Sequence, residues 1–249
     1  MARSGGTLIA RCIGSMQGVV QLSEIHPHAM NVFNPAMQAH NWYGLLTPEN
    51  IKHFSADKVE FREAIEIIAA RCEQQNLKLV IRDWSHLDFI GVPYTDAPAY
   101  RLMLTEALQD SFDVTETTTV RHPLDTWLSL RRMRPMQGRI NPEKFLRGYL
   151  KFARYGKKLG FIKYEDLVSD PDRYFELLCH RLKLRFDPGY KDRWSRYDKV
   201  TGDPYTKSRG GEAIRSLPRR SYEPELLEIF ASSKDYQAAI KLLGYKHPV

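Results

Sequence analysis

The chain has 249 residues, 43% hydrophobic and 27% charged, a balance that supports a full hydrophobic core and excludes a disordered or coiled-coil chain. Lys and Arg number 37 against 30 Asp and Glu, a formal charge of +7, which favours an anionic partner. The basic residues are spread along the chain, so a solvated surface accounts for most of them and no nucleic acid is expected. No stretch approaches the roughly 20 apolar residues of a membrane span and no apolar leader is visible, so the expectation is a soluble, cytoplasmic protein. Cys12, Cys72 and Cys179 are too scattered for a disulfide framework or a zinc site, and no metal is expected.

In chain order, Arg3-Ser4-Gly5-Gly6-Thr7 runs straight into an apolar, helix-like segment at 8–13. A helix from about residue 55 carries Phe61, Ile65, Ile68 and Cys72 on one face and stops at Asn76 before a strand at 79–81. A helix near 99–108 leads into an extended run at 114–120, where three successive threonines and two valines favour strand. Asn141 and Pro142 cap and start a helix with Phe145, Tyr149 and Phe152 on one stripe, and Gly160 ends it before a strand at 161–164. Asp170 and Pro171 open the next helix in the same way. This alternation predicts one α/β domain over 1–249, three layers deep, with a central parallel sheet. Residues 187–249 contribute a loop and short helices to that domain, the last helix ending at Gly244.

In open parallel sheets ligands bind at the carboxyl ends of the strands, which singles out 82–86, 121–125 and 164–166 together with the N-terminal turn. A Gly-containing turn feeding a helix start presents free backbone N–H groups and the positive end of the helix dipole, a cradle for phosphate or sulfate. Arg3 and Thr7 add a cation and a hydroxyl. Such turns also cap ordinary helices, and the Gly-rich loop ending in Lys-Ser or Lys-Thr that an ATPase needs is absent. Arg121 leaves a strand end, Pro123 starts a helix, and Ser129 lies about two turns further on, so one cation and one hydroxyl can share an anionic group.

These residues resemble the sulfotransferases that use 3′-phosphoadenosine 5′-phosphosulfate (PAPS). Residues 3–7 look like the family's 5′-phosphosulfate loop, and Arg121 with Ser129 is similar to its 3′-phosphate motif, including the spacing. Phe161-Ile162-Lys163-Tyr164-Glu165-Asp166-Leu167 followed by Asp170-Pro171 resembles its strand-then-YEDL segment. The resemblance implies a P-loop-like phosphosulfate cradle formed by Arg3, Ser4, Gly5, Gly6 and Thr7, and a metal-free transfer of a sulfuryl group to an acceptor hydroxyl or amine. It implies Arg3 as a stabiliser of the leaving phosphate and a base at His86 or Glu24, with His86 slightly favoured because it follows a strand end. Arg82 would touch the sulfuryl group or pair with Asp83 or Glu24. Lys207 and Arg209, in the basic loop 207–211, would close over the nucleotide. His40, Asn41, Trp42 and Tyr43 are candidates to line the acceptor site, and core packing is the first expectation for Trp84 and Trp127. Glu165 and Asp166 are expected to brace the following segment. A sulfotransferase-like module that binds nucleotide without turnover, and a small-metabolite kinase, are the alternatives.

Two departures stand out. The family commonly has Thr where this chain has Gly6, a change that keeps the amide donor. The family also places a hydrophobic strand directly before the loop, whereas this sequence opens Met1-Ala2-Arg3. About five or six apolar, β-branched residues are therefore expected upstream of Arg3.

Overall fold

The computed structural model describes residues 1–56, 60–202 and 213–248. Among these, four strands pair in parallel: β1 (Val19–Ile25) with β2 (Lys78–Asp83), and β3 (Thr118–Val120) with β4 (Phe161–Lys163). Helix α1 (Gly6–Gly14) precedes β1, and α2 (Pro35–Tyr43), α3 (Pro48–Ala56) and α4 (Phe61–Gln74) connect β1 to β2. Helices α5 (Ser85–Phe89) and α6 (Met103–Leu108) lead to β3, and α7 (Pro123–Leu130) and α8 (Pro142–Leu159) lead to β4. The chain continues through α9 (Tyr164–Ser169), α10 (Pro171–Arg181), α11 (Tyr190–Arg193), α12 (Pro224–Ser232) and α13 (Lys234–Leu243).

Local chemistry sets the helix ends. The Asn141 side chain accepts from the Lys144 amide while Pro142 occupies the first turn of α8, satisfying a donor that the helix itself leaves open. Asp170 caps α10 in the same way, accepting from the Arg173 amide. At the other end of α13, Gly244 takes the left-handed conformation with φ of 66° and returns its amide to the last turn.

Three clusters of buried side chains form the core. One gathers Val120, Leu124, Trp127, Phe145, Tyr149 and Phe230 from β3, α7, α8 and α12. A second packs Val20, Leu22, Ile25, Ile65 and Ile68 between β1 and α4, with Leu79 and Ile81 of β2 against it. The third joins Cys12 and Ile13 of α1 to Phe175, Leu178 and Cys179 of α10, with Val80 of β2 against it. Strand β2 thus sends alternate side chains to opposite faces, as the two-residue period requires. Cys12, Cys72 and Cys179 are all free thiols and buried.

The α/β class and the parallel pairing agree with the sequence. The expected central sheet, however, is divided into two two-stranded sheets, β1-β2 and β3-β4. The run 114–120 yields strand only at Thr118–Val120, opposite the three residues of β4. Strand β1 and helices α2 and α3 were not anticipated, and the helix expected from about residue 55 corresponds to α4, Phe61–Gln74. Among the described residues no helix is long and apolar enough to cross a membrane.

Candidate functional site

The carboxyl ends of β2, β3 and β4 and the start of α1 meet on one side of the molecule. Gly5, with φ of 89°, precedes α1 and supplies no side-chain cap, and no acidic residue stands in the first turn. The first amides of α1 therefore carry no side-chain cap, at the positive end of the helix dipole. Gly5 lies flat on the Tyr164 ring: a Cβ there would fall 2.2 Å from the ring's Cδ2. Gly6 borders Arg82, whose Nε would be 3.0 Å from an added Cβ. Gly5 brings the backbone onto the ring at a distance that a side chain would prevent, and Gly6 brings it against the Arg82 guanidinium, which would have to shift slightly to admit a Cβ.

Three guanidinium groups surround this helix start. Arg3 Nε donates to Ser129 Oγ at 2.9 Å, across 126 residues of sequence. Arg121 lies over the Tyr164 ring, 4.9 Å from its centroid, and its Nη1 is 3.5 Å from the Arg3 carbonyl. The Tyr149 hydroxyl donates to the Arg121 carbonyl and fixes that backbone from the core side. Arg82 is the third. Burial pulls its pKa down, Glu24 opposes that shift and the charge of Arg3 adds to it, which places two cations within electrostatic reach of one another. Such an arrangement is stabilised by an anion.

Glu24 stands beside this cluster. It occupies a bulge between Ser23 and Ile25, where the β1-β2 register shifts, and has φ of 56°. Arg82 Nη2 donates to its Oε1 at 2.9 Å. Thr201 Oγ1 is 3.1 Å from Oε2, and Gly202 covers the carboxylate so closely that an added Cβ would lie 2.3 Å from Oε1. The residue is 7% exposed.

These features fit an anionic, phosphate- or sulfate-bearing ligand: uncapped helix amides, two glycines in close contact with Tyr164 and Arg82, and three arginines. Among the described residues no group of three His, Cys, Asp or Glu side chains is placed to hold a metal ion.

No protein-family model matches the chain, and no curated protein matches it. Solved structures do. The sulfotransferase domain from the curacin biosynthetic pathway superposes with a TM-score of 0.67 at 16% identity, over 99% of this chain and 96% of that one. The sulfotransferase domain from the Synechococcus PCC 7002 olefin synthase gives a TM-score of 0.64 at 19% identity, over 99% of this chain and 92% of that one. The chain has the sulfotransferase-domain fold.

Within this sulfotransferase fold, Arg3, Gly5, Gly6, Arg121 and Ser129 come together around the α1 start. Thr7 is half-buried in the first turn, and Ser4 turns inward, donating from Oγ to the Met1 carbonyl at 2.8 Å. His86 is 1% exposed, and its Nε2–H donates to the Val92 carbonyl at 2.7 Å. Its Nδ1 is buried and finds no hydrogen-bond partner among the described residues. Burial pulls its pKa down to about 4, with the hydrogen bond to Val92 opposing. Lys207 and Arg209 lie outside the described residues. Trp127 sits in the core at 5% exposure, and Trp84 packs edge-on against Phe33 and Tyr94. His40 Nδ1 contacts the Leu46 carbonyl at 2.6 Å, and the Tyr43 hydroxyl bonds to the β1 backbone at Gln21. Glu165 accepts from the His122 amide and the Tyr245 hydroxyl, so it ties the start of α7 to the C-terminal segment rather than bracing the segment that follows it. Tyr164 and Thr201 had not been singled out as contacts of the loop and of Glu24. The signal for Tyr164 was its place as the first residue beyond β4.

Proposed function

We propose that this chain transfers a sulfuryl group from PAPS to an acceptor hydroxyl or amine. The observation that carries the reading is the ring of Arg3, Arg82 and Arg121 around the open start of α1, with Glu24 held by Arg82 at its edge. In the proposed reaction the acceptor atom bonds to sulfur as the bond from sulfur to the bridging phosphate oxygen breaks. The electron pair of that bond leaves with the phosphate, and the acceptor proton passes to a base. Arg3, Arg82 and the first amides of α1 neutralise the charge that grows on the leaving phosphate. Arg121 and Ser129 hold the 3′-phosphate, as charge-assisted donors suit a dianion.

Glu24 is the base in this proposal, which reverses the order expected from sequence. Its Oε1 is oriented by Arg82, and Oε2, which accepts from Thr201 Oγ1 in this structure, would exchange that contact for the acceptor. His86 is a poor candidate on physical grounds: its Nδ1 is enclosed, and with a pKa of about 4 it has little proton affinity near neutral pH. Lys207 and Arg209 are proposed to contact the nucleotide.

Calorimetry with 3′-phosphoadenosine 5′-phosphate tests the donor assignment. Binding without Mg²⁺, weakened at least about tenfold when the 3′-phosphate is missing, is expected. Tight binding of ATP that requires Mg²⁺ would instead indicate the kinase alternative. The divided sheet favours one second reading, a module that binds nucleotide without turnover. Tight nucleotide binding with no sulfated product from any hydroxyl or amine acceptor would establish it.

A further inference from the structure

A hydroxyl of this chain already stands in front of Glu24. The segment 197–202 is tied to β1 and α2 at several points. The Tyr197 hydroxyl is 2.5 Å from that of Tyr43, and Lys199 Nζ lies 4.3 Å from the centroid of the Tyr43 ring. The Thr201 amide donates to Ser23 Oγ at 3.1 Å, and Arg82 Nη1 reaches the Thr201 carbonyl at 3.4 Å. Thr201 itself is half-buried. Its Oγ1 has three acceptors at 3.1 Å: the Ser23 carbonyl, Ser23 Oγ and Glu24 Oε2. A hydroxyl has one proton to give, and the carboxylate is the strongest acceptor of the three because it is charged.

We infer that Thr201 is itself a sulfuryl acceptor, a self-modification site used when no external acceptor displaces it; this rests on the reading of the site as a PAPS-dependent transferase. The arrangement has the parts of an activated nucleophile: a hydroxyl within the roughly 2.6–3.2 Å reach of a base, and a third group that orients the base. Here they are Thr201 Oγ1, Glu24 and Arg82. One guanidinium joins all the parts, since Arg82 Nη2 holds Glu24 Oε1 at 2.9 Å, Nη1 meets the Thr201 carbonyl, and Nε borders Gly6 at the start of α1. The contacts along 197–202 hold the hydroxyl in place beforehand, so no second molecule has to be captured and oriented. In the step, Thr201 Oγ1 bonds to sulfur as the bond from sulfur to the bridging phosphate oxygen breaks. That electron pair leaves with the phosphate, the hydroxyl proton passes to Glu24, and no atom changes oxidation state. The products are 3′-phosphoadenosine 5′-phosphate and a threonine O-sulfate, whose charge Arg82 can pair. Ser23 is the nearest competing hydroxyl, but it is fully buried and its Oγ is taken up by the Thr201 amide.

The test incubates the chain with PAPS and no acceptor, then reads intact mass and maps the peptides. The parent is expected to gain one SO₃ on Thr201, and Thr201→Ser, which keeps a hydroxyl, to gain it too. Thr201→Val should gain none, and Glu24→Gln should be slower by at least about a hundredfold. Calorimetry with 3′-phosphoadenosine 5′-phosphate checks that each variant is folded with its donor site intact. Once freed of nucleotide, the sulfated parent should bind that ligand at least about tenfold more weakly, because the new anion engages Arg82; undiminished affinity overturns the inference. So does a sulfate on any other residue, or sulfation of an added small alcohol while the chain's mass stays unchanged, and both leave the functional proposal standing. A parent that does not bind 3′-phosphoadenosine 5′-phosphate overturns the functional proposal itself.

Discussion

Replacing Gly5 by alanine puts one methyl group at the tightest contact of the loop. Two costs can be separated. Gly5 has φ of 89°, and an L-residue in the left-handed region costs about 1–2 kcal/mol. The new Cβ would also lie 2.2 Å from Cδ2 and 2.7 Å from Cε2 of Tyr164, and overpacking of this kind costs about 1–3 kcal/mol. The sum is about 2–5 kcal/mol, or a fall in Tm of roughly 4–20 °C for a chain of this size. Tyr164→Ala alone removes the ring and its contact with Arg121, a loss of about 0.5–2 kcal/mol. In the double variant the clash is gone while the backbone cost remains. Calorimetric melts of the four chains should therefore show a double variant more stable than additivity predicts by about 1–3 kcal/mol. Additivity within about 0.5 kcal/mol, or a Gly5→Ala chain as stable as the parent, would refute the placement of the loop on the ring.

Arg121→Ala should weaken binding of 3′-phosphoadenosine 5′-phosphate at least about tenfold while leaving nucleotides without a 3′-phosphate little changed, as titration calorimetry would read. Glu24→Gln should reduce turnover at least about a hundredfold with donor affinity retained, and His86→Asn should leave turnover within a few-fold; the opposite pattern would restore the histidine as base. His86 also predicts a pH dependence, since its folded pKa of about 4 lies below the ordinary 6.5. Between those values the unfolded chain binds more protons, so stability falls as pH drops through that window and levels off below it. The loss reaches about 3 kcal/mol. Denaturant melts of parent and His86→Asn should differ in slope over pH 4 to 6.5, and equal slopes would count against the buried neutral imidazole.

Elements whose signals are local were readable from sequence. Helix α8 carries its cap, its apolar stripe and its terminating glycine within the span from Asn141 to Gly160. Strand β1 was not readable, because three of its buried residues, Gln21, Ser23 and Glu24, are polar. The backbone amides of Gln21 and Ser23 are satisfied by Tyr43 and Gln38, partners that a local pattern cannot reveal. The extended run at 114–120 shortens to three residues because β4 offers three partners and, among the described residues, no strand lies on the other side. The site divides in the same way. Spacing alone relates Arg121 to Ser129, whereas the Arg82–Glu24 pair depends on the β1-β2 register and the bulge at Glu24. His86 follows a strand end as expected, but Val92 returns across it and closes its environment.

The three free thiols give this chain a built-in set of timers. Burial holds the thiols of Cys72 and Cys179 up at about 11 and raises that of Cys12 well above its ordinary value, so the reactive thiolate is scarce in the closed protein. Alkylation must wait for the surrounding structure to open. Cys72 lies in the cluster between β1 and α4, and Cys12 and Cys179 lie in the cluster between α1 and α10. Mass spectrometry of labelled peptides would thus clock the opening of the two faces independently, with no engineered reporter.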